Sequence, residues 1–445
     1  MSAETANPQR EIKSVAVLGA GTMGSGIAAA CAQADCNVLL LDISNEAADK
    51  ALERMQSGRA PALDDANKAK LISTGNFDDD LDKIQQYDWV CEAVVEDLET
   101  KRNLFKRVEK TRREGTVVST NTSGIPLRAI TQGMPDRLRK DIAVTHFFNP
   151  VKVMRLLELV PGEETSQDVT NALAKFCKET LGKGVVHGKD TVNFIGNRIG
   201  CFWMLSGLHK AKAALDDGLN VETIDALMSK PVGLPPTGLY GLIDLIGLDV
   251  MDLVAKNLDS NLPPNDIGRA YNNLPAPEQE MLNRGQLGRK TGGGFYRVTK
   301  LDDGGKLKEV FDLTSQQWRT AHEVTLDDSH LDYRSLIFGE DTHGRFVWDV
   351  MGGTLCYAAD LVPEISDDIV NIDRAMRWGF NWRQGPFQQL DALNPGAVIE
   401  KLTDDGKHIP QMLAVLRDAS VDTFYRDDGR QFLGSDGSYH RVPEE

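Results

Sequence analysis

The chain has 445 residues, of which 41% are hydrophobic and 26% charged, so it is too apolar for a disordered protein and long enough for about three domains. Its 50 Lys and Arg residues against 66 Asp and Glu residues give a net charge of −16. This balance argues against a nucleic-acid surface, but an anion can still bind at a helix N-terminus.

The amino-terminal segment and the cysteines indicate the setting of the protein. The segment MSAETANPQREIK is polar and unlike a signal peptide, and no run of about 18 apolar residues could span a membrane. The 6 cysteines form neither a CxxC pair nor another zinc-type spacing. We therefore predict free thiols, no metal site and a soluble, cytoplasmic protein.

Short apolar runs alternate with amphipathic segments from residue 12 to about residue 160. The predicted strands are SVAVLG, NVLLLD, WVCEAVV, TVVSTN, IAVTHF and RLLELV, and helices are predicted over 46–56 and 98–113. Short runs rich in Val, Leu and Ile that end at Gly, Asp, Asn or Pro are typical of buried parallel strands. We therefore predict an α/β fold with a doubly wound, Rossmann-type domain over residues 1–189.

The rest of the chain is predicted to be helical and to contain a repeat. The segment TIDALM at 223–228 is echoed by NIDRAM at 371–376, and GLYGLID at 238–244 is echoed by GPFQQLD at 385–391. The glycine-rich GRKTGGGFYR and the polar LDDGGKLKE after it indicate a domain boundary. We predict two duplicated all-α domains, over 190–298 and 336–445, with a linker over 299–335. Chance similarity between amphipathic helices is the alternative.

A Gly-x-Gly-x-x-Gly motif follows the first predicted strand and opens a helix. Gly19 permits the tight turn, Gly21 lets the backbone approach a pyrophosphate, and Gly24 allows close packing of helix on strand. Asp42 ends the second strand, where a carboxylate can bind an adenosine ribose, and no cation follows before Lys50. We predict NAD and not NADP, with packing glycines and a solvated strand end as the alternatives.

His146 ends the fifth predicted strand, where the carboxyl ends of parallel strands line a ligand cleft. A histidine there could take the hydroxyl proton of an alcohol as a hydride leaves. Glu158 lies inside the next apolar strand, and a buried carboxylate needs a partner, so we predict a His–Glu pair. Ser123 and Asn197 could add polar groups to the cleft. A structural histidine, an exposed glutamate and simple capping residues are the alternatives.

Together these segments resemble the L-3-hydroxyacyl-CoA dehydrogenase family. The resemblance is carried, in family order, by GAGTMGSGIA, EAVVEDLETK, STNTSG, HFFNPVKVMRLLELV, KDTVNFIGNR and GRKTGGGFY. It implies an enzyme of fatty-acid β-oxidation that uses NAD to oxidise an L-3-hydroxyacyl-CoA to the 3-ketoacyl-CoA. It also implies that residues 1–189 bind NAD and that residues 190–298 serve the substrate or a dimer.

The resemblance also implies roles for individual residues. His146 would be the catalytic base and Glu158 its partner, while Ser123 and Asn197 would hydrogen-bond the 3-oxygen of the substrate. Cofactor contacts would come from the glycine motif and from Met23, Asp42, Glu96, Lys101, Asn149 and Lys290. No metal is implied.

Three departures from the family pattern affect the surroundings of these residues. Gly124 stands where the family usually has a second serine, Asn193 where it has glycine, and Gly238-Leu-Tyr where it has Gly-Pro-Phe. These departures could alter acyl-chain preference or dimer packing, and they leave the His–Glu pair untouched.

The segment IDRAMRWGFNWRQGPFQQLDAL resembles the second helical domain of longer, multifunctional members, which often carry an enoyl-CoA hydratase domain as well. Both a stand-alone dehydrogenase and the dehydrogenase part of a larger enzyme remain open, as do a monomer, in which the second copy replaces a second subunit, and a homodimer. The alternatives for function are a dehydrogenase of a non-CoA β-hydroxy acid and a non-catalytic protein that binds NAD or acyl-CoA.

The contacts to CoA itself are weakly specified. The basic residues after the second strand could meet the phosphates of the CoA nucleotide, and a solvated charged helix is the alternative; these residues are Lys50, Arg54, Arg59, Lys68 and Lys70.

Overall fold

The computed structural model describes residues 10–57, 61–301 and 304–445, so Arg59 lies outside the described residues. The chain divides into two compact units. The first runs to Ile195 and includes Glu364–Ser366 and Glu444–Glu445, and the second comprises Gly196–Pro363 and Asp367–Pro443. The division of the second unit into two domains and a linker stays a prediction.

Strands and helices alternate in the first unit. Its strands are β1 Ser14–Leu18, β2 Asn37–Asp42, β3 Ile72–Asn76, β4 Trp89–Glu92, β5 Val117–Thr120, β6 Ile142–Phe147, β7 Leu156–Pro161 and β8 Gly184–His187. Its helices are α1 Thr22–Gln33, α2 Asn45–Gln56, α3 Leu98–Thr111, α4 Leu127–Thr131, α5 Asp136–Asp141 and α6 Gln167–Lys175. Short 3-10 segments precede β3 and β4, and a π-helical turn extends α6.

The eight strands described in this unit form one sheet in the order β3-β2-β1-β4-β5-β6-β7-β8. Every neighbouring pair is parallel except β6 and β7, which run antiparallel with His146 opposite Glu158. RLLELV, predicted as a parallel strand, is therefore parallel to β8 but antiparallel to β6. A connection too short for a crossover helix links β6 to β7, and such a connection favours an antiparallel neighbour.

Both faces of this sheet are buried. Val15 and Val17 of β1 belong to one apolar cluster, and Ala16 and Leu18 belong to another. Because successive side chains of a strand point to opposite faces, helices must cover the sheet on both sides. This is the doubly wound arrangement that the continuous apolar runs predict, and it leaves the loops at the strand ends as the place for polar chemistry.

The second unit is mainly helical. Its helices are α7 Gly196–Asp216, α8 Val221–Leu227, α9 Gly238–Ile246, α10 Leu248–Asn261, α11 Ala276–Asn283, α12 Asp328–Leu331, α13 Tyr333–Ile337, α14 Thr342–Val347, α15 Gly353–Asp360, α16 Ile369–Gly379, α17 Pro386–Leu393, α18 Pro395–Asp404 and α19 Gln411–Asp418. A π-helical turn, Trp348–Gly352, joins α14 to α15. No helix in the described parts of the chain combines the length and apolar character needed to cross a bilayer.

Two small antiparallel sheets accompany these helices, and the sequence did not predict them. One contains β9 Tyr296–Lys300, β10 Lys306–Asp312 and β11 Gln317–Thr320, and the other contains β12 Tyr425–Arg426, β13 Gln431–Leu433 and β14 Tyr439–Arg441. Much of the predicted linker over 299–335 therefore has regular structure. Its polar, glycine-containing sequence is compatible with an exposed hairpin as well as with a loop.

The two segments that repeat in sequence carry the same hydrogen-bond network. Asp225 accepts hydrogen bonds from the backbone N–H groups of Tyr240 and Gly241 and from the Tyr296 hydroxyl. In the second segment Asp373 accepts them from the N–H groups of Phe387 and Gln388 and from the Tyr425 hydroxyl. Burial raises the pKa of both aspartates to about 7.

The other positions that the two copies of the repeat share also have matching surroundings. A Cβ at Gly238 would lie 2.6 Å from the Asp225 Cα, and one at Gly385 would lie 2.3 Å from the Asp373 Cα, so neither position has room for a side chain. The aspartates that end the two motifs also have matching partners: Asp244 binds the N–H groups of residues 295 and 296, and Asp391 those of residues 424 and 425. A duplicated domain would have this correspondence.

These networks predict a matched loss of stability. Replacing Asp373 by Ala leaves one buried and two partly buried donors without their acceptor, so we expect the free energy of unfolding to fall by about 3 kcal/mol. Asp225→Ala should cost a similar amount, because its network is the same. Urea denaturation followed by circular dichroism measures both. The exposed Asp404→Ala variant is the control and should change stability by under about 0.5 kcal/mol. Asp373→Ala matching that control would contradict the prediction.

Candidate active site

The central feature of the first unit is a buried pair of His146 and Glu158. The two residues lie opposite each other on β6 and β7, and the His146 Nδ1 is 2.6 Å from the Glu158 Oε2. The exposed fractions are 5% for the histidine and 0% for the glutamate. The second carboxylate oxygen, Oε1, accepts a hydrogen bond of 3.0 Å from the N–H of Ile195. The carboxylate therefore fixes the imidazole and is itself held by the backbone.

The other ring nitrogen of His146, Nε2, makes no hydrogen bond within the described part of the chain. The Phe148 and Phe194 rings flank the imidazole, with centroid distances of 4.5 and 5.7 Å. A carboxylate at Nδ1 holds the proton on that nitrogen, which leaves Nε2 with a free lone pair. The arrangement can therefore accept a proton at Nε2 in an apolar setting.

The loop that carries Ser123 is joined to this pair through the sheet. Asn121, which follows β5, accepts a hydrogen bond of 2.9 Å from the N–H of Phe147. Glu96 then holds the next turn, because its Oε1 accepts from the N–H groups of Ser123 and Gly124, at 3.0 and 2.9 Å, and from the Thr122 hydroxyl. The Ser123 side chain is exposed. The structure thus fixes the backbone beneath the serine and leaves its hydroxyl accessible.

Lys101 and Glu92 form a buried ion pair below this loop. The Lys101 Nζ lies 2.7 Å from the Glu92 Oε1 and 3.2 Å from the Glu96 Oε2, and Lys101 is 1% exposed. Glu92 also accepts from the N–H of Val94 and the hydroxyl of Thr120. Lys101 and Glu96, predicted as cofactor contacts, are therefore engaged in holding the loop. Glu92 is not among the predicted residues, although it lies inside the apolar run WVCEAVV, and a carboxylate in an apolar strand is also the feature that identified Glu158.

The glycine motif has the shape that a dinucleotide needs. Gly19 has a φ of +108°, and a Cβ there would lie 2.5 Å from the carbonyl oxygen of Ala93. A Cβ at Gly24 would lie 1.8 Å from the Gly19 oxygen, whereas around Gly21 the described residues leave open space to 4 Å. Among the described side chains none caps α1 at Gly21, so the N–H groups of its first turn face that space. These residues fit a bound pyrophosphate.

Asp42 lies beside the glycine motif. One carboxylate oxygen accepts from the N–H of Ala20 and the other from the N–H of Ile43, at 2.7 Å for the latter, so the carboxylate also braces the motif. A cavity of about 430 Å³ next to it is lined by Ala20, Gly21, Asp42, Ser44, Glu46, Ala47, Lys50 and Arg54. In the sequence no cation lies close to Asp42, but in the folded chain Lys50 and Arg54 line the same cavity as Asp42.

The basic residues predicted to meet CoA phosphates have protein partners. Lys50 pairs with Glu46, and an Arg54 N–H donates to the Ala20 carbonyl at 3.3 Å. Lys68 pairs with Asp35, and Lys70 donates to the Asn67 side chain at 3.2 Å. None of the four described residues is an isolated cation, so their contact with CoA stays a prediction.

The remaining predicted residues lie in both units. In the first unit Met23 is half-buried in the first turn of α1, and Asn149 is exposed in the loop after β6. In the second unit Asn197 is half-buried at the start of α7, and the Lys290 Nζ lies 2.7 Å from the Asp249 Oδ2 near the start of α10. Lys290 is thus already paired with a carboxylate. The cofactor and substrate roles of these residues stay predictions.

One departure from the family pattern has a backbone explanation. Asn193 has a φ of +59°, in the left-handed region that glycine adopts at little cost and that asparagine tolerates better than most residues. The following residue, Phe194, lies against the His146 ring. Asparagine therefore maintains the turn that presents Phe194 to the imidazole.

Comparisons with known proteins agree with this architecture. Residues 14–191 match the family model "3-hydroxyacyl-CoA dehydrogenase, NAD binding domain", and residues 194–298 match "3-hydroxyacyl-CoA dehydrogenase, C-terminal domain". The first unit is thus an NAD-binding domain.

Two curated relatives and one solved structure are similar over most of the chain. A probable 3-hydroxyacyl-CoA dehydrogenase of Bacillus subtilis is 33% identical over 98% of this chain and 58% of its own length. A putative fatty acid oxidation complex trifunctional enzyme of Rickettsia felis is 36% identical over 86% of this chain and 53% of its own length. The crystal structure of 3-hydroxybutyryl-CoA dehydrogenase from Escherichia coli K12 has a TM-score of 0.69 and 26% identity, and covers 91% of this chain and 98% of that one. The chain spans about half the length of these curated relatives.

The position of Asp42 predicts the cofactor preference. In Asp42→Asn the negative charge that would repel a 2′-phosphate is lost, while an acceptor for the Ala20 N–H remains. We expect the preference for NADH over NADPH to fall by about tenfold or more. Fluorescence titration with the two reduced cofactors measures it. Glu53→Gln, an exposed residue of α2, is the control, and an unchanged preference in Asp42→Asn would contradict the prediction.

Proposed function

The chain belongs to the 3-hydroxyacyl-CoA dehydrogenase family, and we propose that it oxidises an L-3-hydroxyacyl-CoA to the 3-ketoacyl-CoA with NAD. The observation that carries the proposal is the buried His146–Glu158 pair at the end of β6, with Nε2 left as a proton acceptor. A secondary alcohol needs such a base, because its hydroxyl proton must leave as the carbonyl forms.

In this mechanism the His146 Nε2 takes the proton of the C3 hydroxyl. NAD, when held by the glycine motif and Asp42, would supply the acceptor for the hydride of C3. The imidazole becomes a cation when it takes the proton, and Glu158, 2.6 Å from Nδ1, stabilises that cation and keeps the ring from turning. The flanking Phe148 and Phe194 rings exclude water from the imidazole, which strengthens its interaction with the carboxylate. In the reverse reaction the same nitrogen returns the proton to the 3-oxygen.

Ser123 and Asn197 are proposed to hydrogen-bond the 3-oxygen. Support for Ser123 comes from its exposed hydroxyl on a backbone that Glu96 holds through two N–H groups. We assign Glu96 and Lys101 the role of positioning residues for this loop, because their charged groups face the protein and each other. Asn197 is supported by its half-buried place at the start of α7.

The first unit offers the groups that would hold NAD. The N–H groups at the start of α1 would bind the pyrophosphate, and Asp42 would bind the adenosine ribose with the acceptor capacity that its backbone contacts leave. Met23, Asn149 and Lys290 are proposed as further cofactor contacts, by resemblance to the family.

The substrate implies a partner reaction. An L-3-hydroxyacyl-CoA forms when water adds to a 2-enoyl-CoA, so we propose that the chain works with an enoyl-CoA hydratase, as a separate protein or on one polypeptide. The trifunctional name of the Rickettsia felis relative supports this. We further propose that the second helical copy takes the place of a second subunit, which would give a monomer. A reducing compartment such as the cytoplasm is supported by the free thiols of all 6 cysteines.

Oxidation of NADH by 3-ketoacyl-CoA tests the function. We expect turnover with acetoacetyl-CoA or with a long-chain 3-ketoacyl-CoA, and kcat lowered by about 10³-fold or more in His146→Ala, because the general base is lost. Glu158→Gln keeps the shape of the pair but loses its charge, and we expect kcat to fall by about 10²-fold. The reaction is followed by absorbance.

Two controls make the test specific. His408→Ala removes a histidine of an exposed His–Asp pair and should leave kcat unchanged. Free acetoacetate replaces the thioester in a parallel assay. Turnover of the free acid but of neither thioester would contradict the CoA substrate, and full activity in His146→Ala would contradict the proposed base.

A further inference from the structure

Three side chains of types that can ligate metal ions lie close together in the second unit, and none of them is assigned to catalysis or cofactor binding. They are His330 of α12, Asp341 before α14 and His343 in its first turn. The His330 Nε2 lies 2.8 Å from the Asp341 Oδ2, and the His343 Nδ1 lies 3.8 Å from the same oxygen. One ligand atom from each residue lies within 4.8 Å of the others. We call this group the His–Asp–His cluster.

The local fold explains why one carboxylate oxygen faces both histidines. Asp341 is the N-cap of α14, and its Oδ1 accepts a hydrogen bond of 2.8 Å from the N–H of Gly344. Capping turns Oδ2 away from the helix and towards the imidazoles. His343 follows two residues later and stacks on His330, with ring centroids 4.4 Å apart and planes 19° apart. One nitrogen of each imidazole and one carboxylate oxygen thus lie within 4.8 Å of one another.

We infer that the His–Asp–His cluster is a binding site for a divalent transition-metal ion, of which Zn²⁺ is the best fit. Two imidazole nitrogens and one carboxylate oxygen form a ligand set that Zn²⁺, Ni²⁺ and Cu²⁺ prefer to all-oxygen ions such as Mg²⁺. With metal–ligand bonds of about 2.0–2.2 Å, ligand atoms around a tetrahedral ion lie about 3.4 Å apart. The separations of 2.8 and 3.8 Å bracket that value.

Binding needs only side-chain adjustment. The ion would replace the contact between His330 and Asp341, and the two rings would open from their near-parallel stack so that both lone pairs face it. His343 and His330 are half-buried and Asp341 is exposed, so an ion can reach the cluster from solvent and water can complete its coordination. Because the site is accessible to solvent and has three protein ligands, we expect it to bind its ion reversibly.

The ion would connect two parts of the second unit. His330 belongs to the segment that follows β11, and Asp341 and His343 begin the helices that lead to α15. An ion that binds the folded chain but not the unfolded chain would stabilise the contact between these two segments. The cysteine spacing predicts no metal site, whereas this cluster joins histidines from separate helices.

The other surface His–Asp pairs supply the control. His408 lies 3.0 Å from Asp360, and His440 lies 3.0 Å from Asp436. Each of these pairs offers one imidazole only, and the structure brings no second histidine to them in the described residues. They should bind Zn²⁺ much more weakly than the His–Asp–His cluster.

The test is titration of the full chain, without a polyhistidine tag, by Zn²⁺ in a calorimeter and by Co²⁺ with its visible absorption as a second probe. We expect one ion per chain with micromolar affinity in the wild type and in His440→Gln. His330→Gln and His343→Gln should each weaken binding by about tenfold or more. Asp341→Asn is informative because asparagine still caps α14 but is a poorer ligand, so it should weaken the metal without unfolding the helix.

Thermal melting completes the experiment. Zn²⁺ should raise the melting temperature of the wild type and of His440→Gln, and should raise it less in the three cluster variants. Similar melting temperatures without metal show that the variants are folded. Absence of one-to-one binding in the wild type, or equal affinity in His330→Gln and His343→Gln, would overturn the site. NADH oxidation is not part of this readout, so the result is independent of the proposed enzymatic function.

Discussion

The buried carboxylate of Glu158 determines how the surroundings of His146 are arranged in the first unit. One oxygen holds the His146 Nδ1 and the other accepts the N–H of Ile195, the last residue before the second unit begins. A fully buried carboxylate is costly unless both oxygens are satisfied, so the histidine, the strand and the segment before α7 are ordered together. The antiparallel register of β6 and β7 makes this possible, because it sets residues twelve positions apart directly opposite each other.

Much of the first unit could be predicted from its apolar runs. SVAVLG, NVLLLD and IAVTHF contain β1, β2 and β6, since buried parallel strands read as continuous hydrophobic segments. The strands β3 and β8 were missed, because ISTGN has one large apolar residue and GVVH has two, too few to form such a segment. The direction of β7 was missed for a different reason: a strand's own sequence does not encode which way its neighbour runs, and only the short connection after β6 constrains it.

Some residues of the candidate site could likewise be predicted from the sequence, and others could not. The glycine motif could be found from its fixed spacing. Asp42, His146 and Glu158 could be found because each is a polar residue within or at the end of an apolar strand. Lys101 was identified by resemblance, but its burial between Glu92 and Glu96 depends on how α3 packs after β4 and the loop between them, which the residue pattern does not show. The His–Asp–His cluster is likewise invisible in sequence spacing. Sequence patterns thus identify single residues that stand out within an element, and they miss the contacts that form when separate elements pack together.

The central claim is that Glu158 sets the protonation of His146 so that Nε2 is the proton acceptor. Its most direct test is a ¹H–¹⁵N spectrum of the imidazole nitrogens, with His146 assigned by comparison with His146→Ala. We predict a protonated Nδ1, with its proton resonance shifted downfield by the 2.6 Å contact to the carboxylate, and an unprotonated Nε2 in the neutral ring. A neutral ring with its proton on Nε2 would contradict it, because that nitrogen could not then accept the proton of the substrate.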